Sequence, residues 1–220
     1  GRRHAPYGQP GLYFGCVLLV ELGALATFLA RDIVLFFVAF EIVLVPMWVL
    51  ISRYGDPHDP RARADAAGRF VLYTVLGSST MLTGILALAK FAGTTDMRLI
   101  PTSALTDRQQ LLVALLLSVG LAVKVPLFPV HTWLPPAHTI APTGGSVLLA
   151  AVLLKMGTYG LIRLPGEMTP RGFAQLGPIL AVLGVIGLLW ARLACLVERD
   201  LKRLIAFSSV AHMGFVGLAL

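Results

Sequence analysis

The sequence predicts an all-α protein, a polytopic bundle of about seven transmembrane helices with one discontinuous helix. Of the 220 residues, 57% are hydrophobic and only 13% are charged, which is about half the charged fraction of a soluble globular chain. The hydrophobic residues form long runs without the ten-residue alternation of an outer-membrane barrel strand. Prolines at positions 126 and 129 interrupt the fourth run.

Seven runs are long enough to cross a bilayer, which takes roughly 17 to 25 residues. The first two are separated by Arg31-Asp32 alone, so we expect a tight helical hairpin. The chain begins without Met and stops inside an apolar run, and we therefore expect an internal fragment with residues 1–220 as one membrane domain. The runs lie at about 12–30, 32–51, 70–90, 111–131, 145–162, 174–194 and 203–220.

Basic residues in the loops predict the orientation, because they collect on the cytoplasmic side. Six lie on one side of the predicted membrane: Arg31, Lys90, Arg98, Arg108, Arg163 and Arg171. Ten lie on the other: Arg2, Arg3, Arg53, Arg61, Arg63, Arg69, Arg192, Arg199, Lys202 and Arg203. The excess places residue 1 and the 53–69 loop in the cytoplasm of a bacterium with this protein in its inner or plasma membrane, or in the matrix if the protein belongs to the mitochondrial inner membrane.

The net charge of +7 does not indicate nucleic-acid binding, because the basic residues are spread over short loops. The two cysteines, Cys16 and Cys195, lie in apolar runs and predict neither a disulfide framework nor a metal site. His131 and His138 have no third ligand nearby, so we expect no metal there either.

Four charged residues lie inside predicted spans. Glu21 and Glu41 are central in the first and second spans, Lys124 lies in the fourth, and Lys155 is near the middle of the fifth. A charge at that depth costs about 2.5–3.5 kcal/mol, so four of them predict either static ion pairs between helices or a path for protons. For Glu21, pairing with a neighbouring helix or with a further part of the protein remains an alternative.

A buried Glu–Lys pair has the chemistry of a proton switch. The carboxylate favours the protonated lysine, whereas desolvation favours the neutral amine. A lysine therefore tends to release its proton when the glutamate moves away or is neutralised.

Pro126 and Pro129 closely follow Lys124. Each proline removes a backbone donor and clashes with the carbonyl four residues earlier, at about 3 kcal/mol in a regular helix. Broken helices at membrane depth form ion sites in transporters, and a simple proline kink is the alternative. We expect the helix to open at the level of Lys124.

Three histidines are candidates for proton relay, because histidine titrates near neutrality. His131 and His138 would share a helical face if that half of the broken span is helical, and capping of a helix end is the alternative, more so for His131. His212 follows Ser208 and Ser209 by one turn, where these polar groups could order water or join helices by hydrogen bonds.

Three segments are similar to a known family. They are "FEIVLVPMWVLISRYG" (40–55), "AVKVPLFPVHTWLPPAHTIAPTGGSVLLAAVLLKMGTYGLIRL" (122–164) and "DLKRLIAFSSVAHMGF" (200–215). They resemble the antiporter-like membrane subunits of respiratory complex I, the NADH-quinone oxidoreductase. The "E-x-x-L-V-P-M" of the second span looks most like the subunit M type, the counterpart of mitochondrial subunit 4.

The resemblance implies a fold of about fourteen helices with two inverted five-helix repeats, each containing one broken helix. The first repeat would cover about 12–162, with 111–138 as its broken helix, and 174–220 would start the second.

The resemblance also implies roles for the charged residues. Glu41 would be the essential carboxylate, Lys124 the lysine of the broken helix, and Lys155 the central lysine. His138 and His212 fall at positions that the family usually fills with histidine.

The implied function is proton translocation in a proton-pumping NADH:quinone oxidoreductase, coupled to electron transfer in other subunits. The resemblance implies no cofactor in this chain, with NADH, FMN, iron–sulfur clusters and quinone bound by partner subunits. The implied partners are the other membrane-arm subunits, the lipid bilayer and protons.

Mrp-type cation/proton antiporter subunits and the membrane subunits of energy-converting hydrogenases share these motifs and remain alternatives. A structural membrane scaffold is a further alternative. A scaffold predicts that the intramembrane charges form static ion pairs, and that exchanging Glu41 with Lys124 preserves activity.

Overall fold

The computed structural model describes residues 9–103 and 105–220, nearly all of them in helices. The predicted all-α class is therefore confirmed. The helices are α1 (Pro10–Leu29), α2 (Ile33–Ile42), α3 (Leu44–Tyr54), α4 (Pro60–Ala92), α5 (Asp107–Lys124), α6 (Leu134–Ile140), α7 (Thr143–Leu148), α8 (Leu154–Leu161), α9 (Pro170–Val197) and α10 (Leu201–Ala219). Two π-helical segments, Leu149–Leu153 and Ile162–Gly166, continue the rod formed by α7 and α8.

Five helical segments are long and apolar enough to cross a membrane. They are Pro10–Leu29, Ile33–Tyr54, Pro60–Ala92, Thr143–Gly166 and Pro170–Val197. The two other predicted spans are α5 and α10, helices of 18 and 19 residues. Both contain charged residues, Lys124 and Lys202 among them.

Helix α4 begins ten residues before the predicted span at 70–90, inside the predicted 53–69 loop. The Asp59 side chain accepts a hydrogen bond from the Ala62 N–H at 2.8 Å, and Pro60 occupies the first helical position. Both features favour a helix start. The basic residues of that predicted loop therefore lie partly on a polar helical end.

The predicted break after Lys124 is confirmed, because α5 ends at that residue and α6 begins at Leu134. The indole of Trp133 is fully buried and donates to the Val123 carbonyl at 2.8 Å. The Val123 carbonyl has lost its helical donor because α5 ends at the next residue. The Trp133 indole replaces that donor, as a membrane interior requires.

A local irregularity, which the sequence analysis did not predict, separates α2 from α3 at Val43, whose backbone keeps right-handed helical angles. Pro46 has no N–H to donate to the Ile42 carbonyl, and its ring crowds that carbonyl. The span Ile33–Tyr54 therefore lacks a regular helical hydrogen bond close to Glu41, while the helix continues through it.

Two helix pairs approach each other backbone to backbone. Helix α4 crosses α5 at Gly77 and Gly120, where a Cβ added to Gly120 would lie 2.6 Å from the Gly77 carbonyl oxygen. Helix α9 crosses α10 at Gly184 and Gly214, where an added Cβ on either residue would lie 2.7 Å from the other's carbonyl oxygen. Small residues allow such close helix packing in membranes.

The outer faces of α1 and α9 are apolar and exposed, as expected for helices that face lipid or other membrane helices. Leu22, Leu29, Leu193 and Leu196 are more than half exposed. Residue 1, Arg2 and Arg3 lie outside the described residues, so the membrane side of residue 1 stays a prediction.

The loop between α4 and α5 contacts the turn between α1 and α2. The Ile33 N–H donates to the Thr95 carbonyl at 3.0 Å, and the Met97 N–H donates to the Arg31 carbonyl at 2.9 Å. Asp96 lies inside this contact and accepts hydrogen bonds from the side chain and the backbone of Arg98, which lower the pKa of Asp96 from 3.8 to about 2.

Asp96→Asn is expected to lower the thermal stability of the purified protein slightly at pH 7. Because the folded pKa lies below the unfolded one, the carboxylate stabilises the fold above about pH 4 and loses that contribution as the pH falls towards about 2. The difference in melting temperature between variant and wild type should therefore shrink as the pH falls from about 5 to about 2. A difference that does not change over this interval would contradict the assignment.

Candidate functional site

Lys124 lies at the end of α5 with only 2% of its surface exposed. Its Nζ lies 4.7 Å from the centroid of the Phe40 ring, a cation–π contact. Within the described part of the chain, Nζ has no hydrogen-bond acceptor. A buried ammonium needs acceptors for its three protons, so this site calls for water or for a carboxylate that moves towards it.

Glu41 lies near the end of α2, directly after Phe40, whose ring contacts Lys124. Its carboxylate instead accepts a hydrogen bond from Ser78 Oγ of α4 at 2.5 Å. Among the described residues, no ion pair of 4.0 Å or less includes Glu41 or Lys124. The structure therefore brings the two predicted residues together without pairing them.

Ion pairs do occur elsewhere in the described ranges. The five pairs are Arg69–Asp65, Arg98–Asp96, Arg163–Glu167, Arg171–Asp107 and Arg203–Glu198. Among the described residues, none of the five includes one of the four charged residues predicted at membrane depth.

Helix α8 packs directly on the end of α5. A Cβ added to Gly157 would lie 3.2 Å from the Lys124 Cβ and 3.1 Å from the Val125 nitrogen. Lys155 lies two residues earlier, about 200° around the same helix. Lys155 is exposed on that opposite side, so α8 separates the two lysines.

Lys155 Nζ donates to the Ala150 carbonyl at 2.8 Å. Ala150 lies in the first π-helical segment and also lines a cavity of about 240 Å³ beside His138, Ser146 and Lys202. His138 is 5% exposed, and neither of its ring nitrogens has a partner among the described residues. Ala150 therefore contacts Lys155 through its carbonyl and also lines the cavity beside His138.

The end of α6 is held by donors from three different elements. The last carbonyls of a helix have no partner within the helix, and here the carbonyls of residues 138–141 all find one outside it. Ser146 Oγ donates to His138 at 2.8 Å, Lys202 Nζ donates to Thr139 and Ala141 at 3.2 Å each, and the Asp56 N–H donates to Ile140 at 2.9 Å. Lys202 thereby ties α10 to the second half of the broken helix.

Lys202→Met is expected to lower the stability of the protein by about 1 kcal/mol, because two carbonyls lose a charged donor that is itself partly exposed. Lys202→Arg, which keeps the charge and the donors, should retain most of the stability. The measurement is thermal unfolding in detergent. Equal melting temperatures for Lys202→Met and wild type would show that the contact does not stabilise the fold.

The prediction that His131 and His138 share a helical face is wrong, because α6 begins only at Leu134. His131 lies in the break, 2% exposed, with its ring 5.6 Å from that of Phe128 and 4.7 Å from that of Trp190. It belongs to an aromatic cluster, away from the cavity beside His138.

His212 lies apart from Lys124, on α10. Its Nδ1 is 2.7 Å from the Ser208 carbonyl, and it lines a cavity of about 350 Å³ between α9 and α10. Arg192 lines the same cavity, with its guanidinium 5.0 Å from the Phe215 ring. Arg192 was assigned to a loop on the cytoplasmic side, but the structure places it inside α9 because that helix continues to Val197.

Glu21 is exposed on α1. The neighbouring contact of α1 is made by Gly23, whose added Cβ would lie 2.6 Å from Val43 Cγ2. Glu21 lies two positions before Gly23, about 200° around the helix, so it points away from Val43 and is not brought to Lys124.

Sequence reasoning missed Ser78 and Lys202. A signal for Ser78 was present, since "GSST" (77–80) places hydroxyl groups inside an apolar run. Lys202 carried no such signal, because it belongs to a group of basic residues at a predicted helix end. In the described ranges, no group of three or more His, Cys, Asp or Glu side chains could hold a metal ion.

These features define a class of protein. A helix broken at membrane depth, with a buried lysine at the break and a carboxylate on the adjoining helix, is typical of transporter-like membrane subunits. The chain belongs to the NADH:quinone oxidoreductase/Mrp antiporter transmembrane family, which its residues 30–220 match.

Named relatives agree with this assignment. The chain is 40% identical over 208 residues to "NADH-ubiquinone oxidoreductase chain 4" of Marchantia polymorpha, covering 94% of this chain and 41% of the relative. It is 40% identical over 221 residues to "NADH-quinone oxidoreductase subunit M" of Rhodobacter capsulatus, covering 94% of this chain and 42% of the relative. The predicted resemblance to the subunit M and chain 4 type is confirmed.

The fold matches that of a chain in respiratory complex I from Thermus thermophilus, with a TM-score of 0.85 and 31% sequence identity. The match covers 93% of this chain and 44% of that chain. The chain spans about two fifths of the length of the curated relatives it matches.

Proposed function

We propose that this chain is part of a proton-translocating membrane subunit of a proton-pumping NADH:quinone oxidoreductase. The observation that carries the proposal is Lys124, buried at a helix break beside a carboxylate to which it is not paired. Such a lysine can exchange a proton when the carboxylate moves. Family membership and the names of the relatives support this function.

In the proposed mechanism, a signal from neighbouring subunits changes the distance between Glu41 and Lys124. A nearby Glu41 carboxylate stabilises the ammonium of Lys124, and a distant one leaves desolvation to favour release. Lys124 then releases its proton towards Lys155. Because α8 lies between the two side chains, the proton travels through water molecules.

The proposed reprotonation path is hydrated and starts on the cytoplasmic or matrix side. A cavity of about 320 Å³ beside Asp56 and Pro57 supports this path, because Lys202 lines both this cavity and the one beside His138. His138 and His212 are proposed relay groups along the path and its continuation. For His131 the aromatic cluster favours a packing role.

The proposed subunit carries no redox centre in this chain, and its partners are other membrane-arm subunits that bind NADH, FMN, iron–sulfur clusters and quinone. The proposed location is a bacterial inner membrane, or the mitochondrial inner membrane, with residue 1 on the cytoplasmic or matrix side. We place a first inverted repeat at about 12–162 and the start of a second at 174–220.

Replacing Lys124 or Glu41 by Ala in the assembled complex is expected to reduce proton pumping about a hundredfold or more, because a positioned proton-transfer group contributes roughly 10²–10⁴-fold. Pumping would be measured in closed vesicles during NADH oxidation. Lys90→Ala is a matched control, because Lys90 is an exposed lysine in the last turn of α4. Wild-type pumping by Lys124→Ala or Glu41→Ala would contradict the proposal.

The Mrp-type antiporter is a second candidate, because the matched family includes both kinds of protein. The two are separated by transport in vesicles that contain the whole complex. An antiporter requires sodium or another cation to move against protons, whereas the proposed pump requires NADH oxidation and is independent of sodium.

A further inference from the structure

The hydroxyl of Ser78 has one proton and two acceptors within reach. Its Oγ lies 2.5 Å from Glu41 Oε1 and 2.8 Å from the carbonyl oxygen of Thr74, one turn back on the same helix. A hydroxyl proton turns about the Cβ–Oγ bond and can be donated to one acceptor at a time at full strength. Ser78 can therefore bind Glu41 or leave it free without any change of its own rotamer.

The position of Ser78 is fixed relative to α5. Its neighbour Gly77 makes the close crossing with α5, where an added Cβ would lie 2.9 Å from the Val123 Cβ. Ser78 itself is buried, with 8% of its surface exposed. The Ser78 hydroxyl therefore lies on a closely packed helix pair. Gly77, the residue before Ser78, contacts Val123, the residue before Lys124.

Glu41 lies on the less constrained side of this hydrogen bond. Helix α2 ends one residue after Glu41, where the helical hydrogen bonding is irregular at Val43. Its side chain is only partly buried, in contrast to Lys124. A shift of the Glu41 carboxylate is therefore easier than a shift of either Ser78 or Lys124.

We propose that Ser78 is a positioning residue that controls the pairing of Glu41 with Lys124 by donating its proton either to Glu41 or to the Thr74 carbonyl. In the first arrangement, the carboxylate is held by Ser78 and Lys124 is unpaired. In the second, the hydroxyl returns to its own helix and the carboxylate is free to pair with Lys124. The inference rests on the proposed function of the Glu41–Lys124 pair.

The test uses Ser78→Ala, Ser78→Thr and Ser79→Ala in the assembled complex. Ser79 is a matched control, because it is the next residue, it is exposed, and its Oγ also donates to a carbonyl one turn back, that of Val75, at 2.8 Å. We expect Ser78→Ala to slow NADH-driven pumping about tenfold, the fold-change expected for one hydrogen bond to a charged group. Ser78→Thr keeps the hydroxyl and should retain pumping close to the wild-type rate. Ser79→Ala should also pump at the wild-type rate.

A second comparison separates positioning from packing. Electron transfer from NADH to a water-soluble acceptor, which reports assembly and redox chemistry, should be equal in all three variants. In a Glu41→Gln background, Ser78→Ala should cause no further loss, because the carboxylate on which Ser78 acts is already absent. A further loss in that background, or failure of Ser78→Thr to restore pumping, would overturn the role and indicate packing alone.

The two proposals fail in different ways. If Lys124→Ala and Glu41→Ala lose pumping while Ser78→Ala pumps like Ser79→Ala, the role of Ser78 is overturned and the proposed function stands. If Lys124→Ala and Glu41→Ala pump at the wild-type rate, the proposed function fails, and the role of Ser78 fails with it.

Discussion

Lys124→Arg is expected to abolish proton pumping even though the positive charge at the end of α5 is retained. Arginine is not deprotonated in proteins, so a path that needs this side chain to release a proton is blocked. If the charge of Lys124 only held helices together, arginine would serve as well as lysine. The variant thus separates proton transfer from electrostatic attraction, which replacement by alanine cannot do.

The measurement is the ratio of protons moved to NADH oxidised, in vesicles that contain the assembled complex. Lys124→Met is the companion variant, because it removes the charge with little change in side-chain length. Both variants should assemble and should both lack pumping. A ratio near that of wild type in Lys124→Arg would contradict a proton-transfer role for this residue.

Gly120→Ala is expected to cause the largest loss of stability among the single substitutions considered, about 2–3 kcal/mol. The added Cβ would lie 2.6 Å from the Gly77 carbonyl oxygen and 2.7 Å from the Met81 nitrogen. Both are backbone atoms of α4, so the clash is relieved only by moving the two helices apart. Since Gly120 lies one turn before Lys124, this movement would also shift Lys124 relative to the hydrogen bond between Ser78 and Glu41.

Gly68→Ala supplies the control, because Gly68 lies on α4 and an added Cβ would meet nothing within 4 Å. That substitution should stabilise the helix by about 0.5–1 kcal/mol. Thermal unfolding in detergent and the amount of assembled complex in the membrane measure both variants. Equal stability of Gly120→Ala and Gly68→Ala would show that the crossing of α4 and α5 adapts more easily than its geometry indicates.

Much of the architecture followed from local sequence. The end of α5 was predictable because two prolines three residues apart leave a helix no regular continuation. The irregularity at Val43 was not predictable, because the effect of a single proline on a helix depends on how the neighbouring helices pack against it. The prediction of a shared helical face for His131 and His138 was wrong for a related reason. The residues between the prolines and Leu134 form turns, so His131 lies before the start of α6.

The candidate site was predictable in its members but not in its contacts. Intramembrane charge singled out Glu41, Lys124 and Lys155. Which atoms meet depends on how the helices cross, and one-dimensional spacing does not contain this information. The hydrogen bond between Ser78 and Glu41 and the separation of the two lysines by α8 both arise from tertiary packing.

The position of Gly157 against Lys124 has a consequence for an idle pump. The backbone of α8 lies there without a side chain, and its amides are occupied in helical hydrogen bonds, so the helix offers no titratable group between Lys124 and Lys155. In the proposed pump, α8 is therefore a barrier to direct proton transfer, and protons pass between the two lysines only through water molecules around the helix. When that route contains no water, protons cannot flow back down the gradient. The complex then maintains a membrane potential while no NADH is being oxidised.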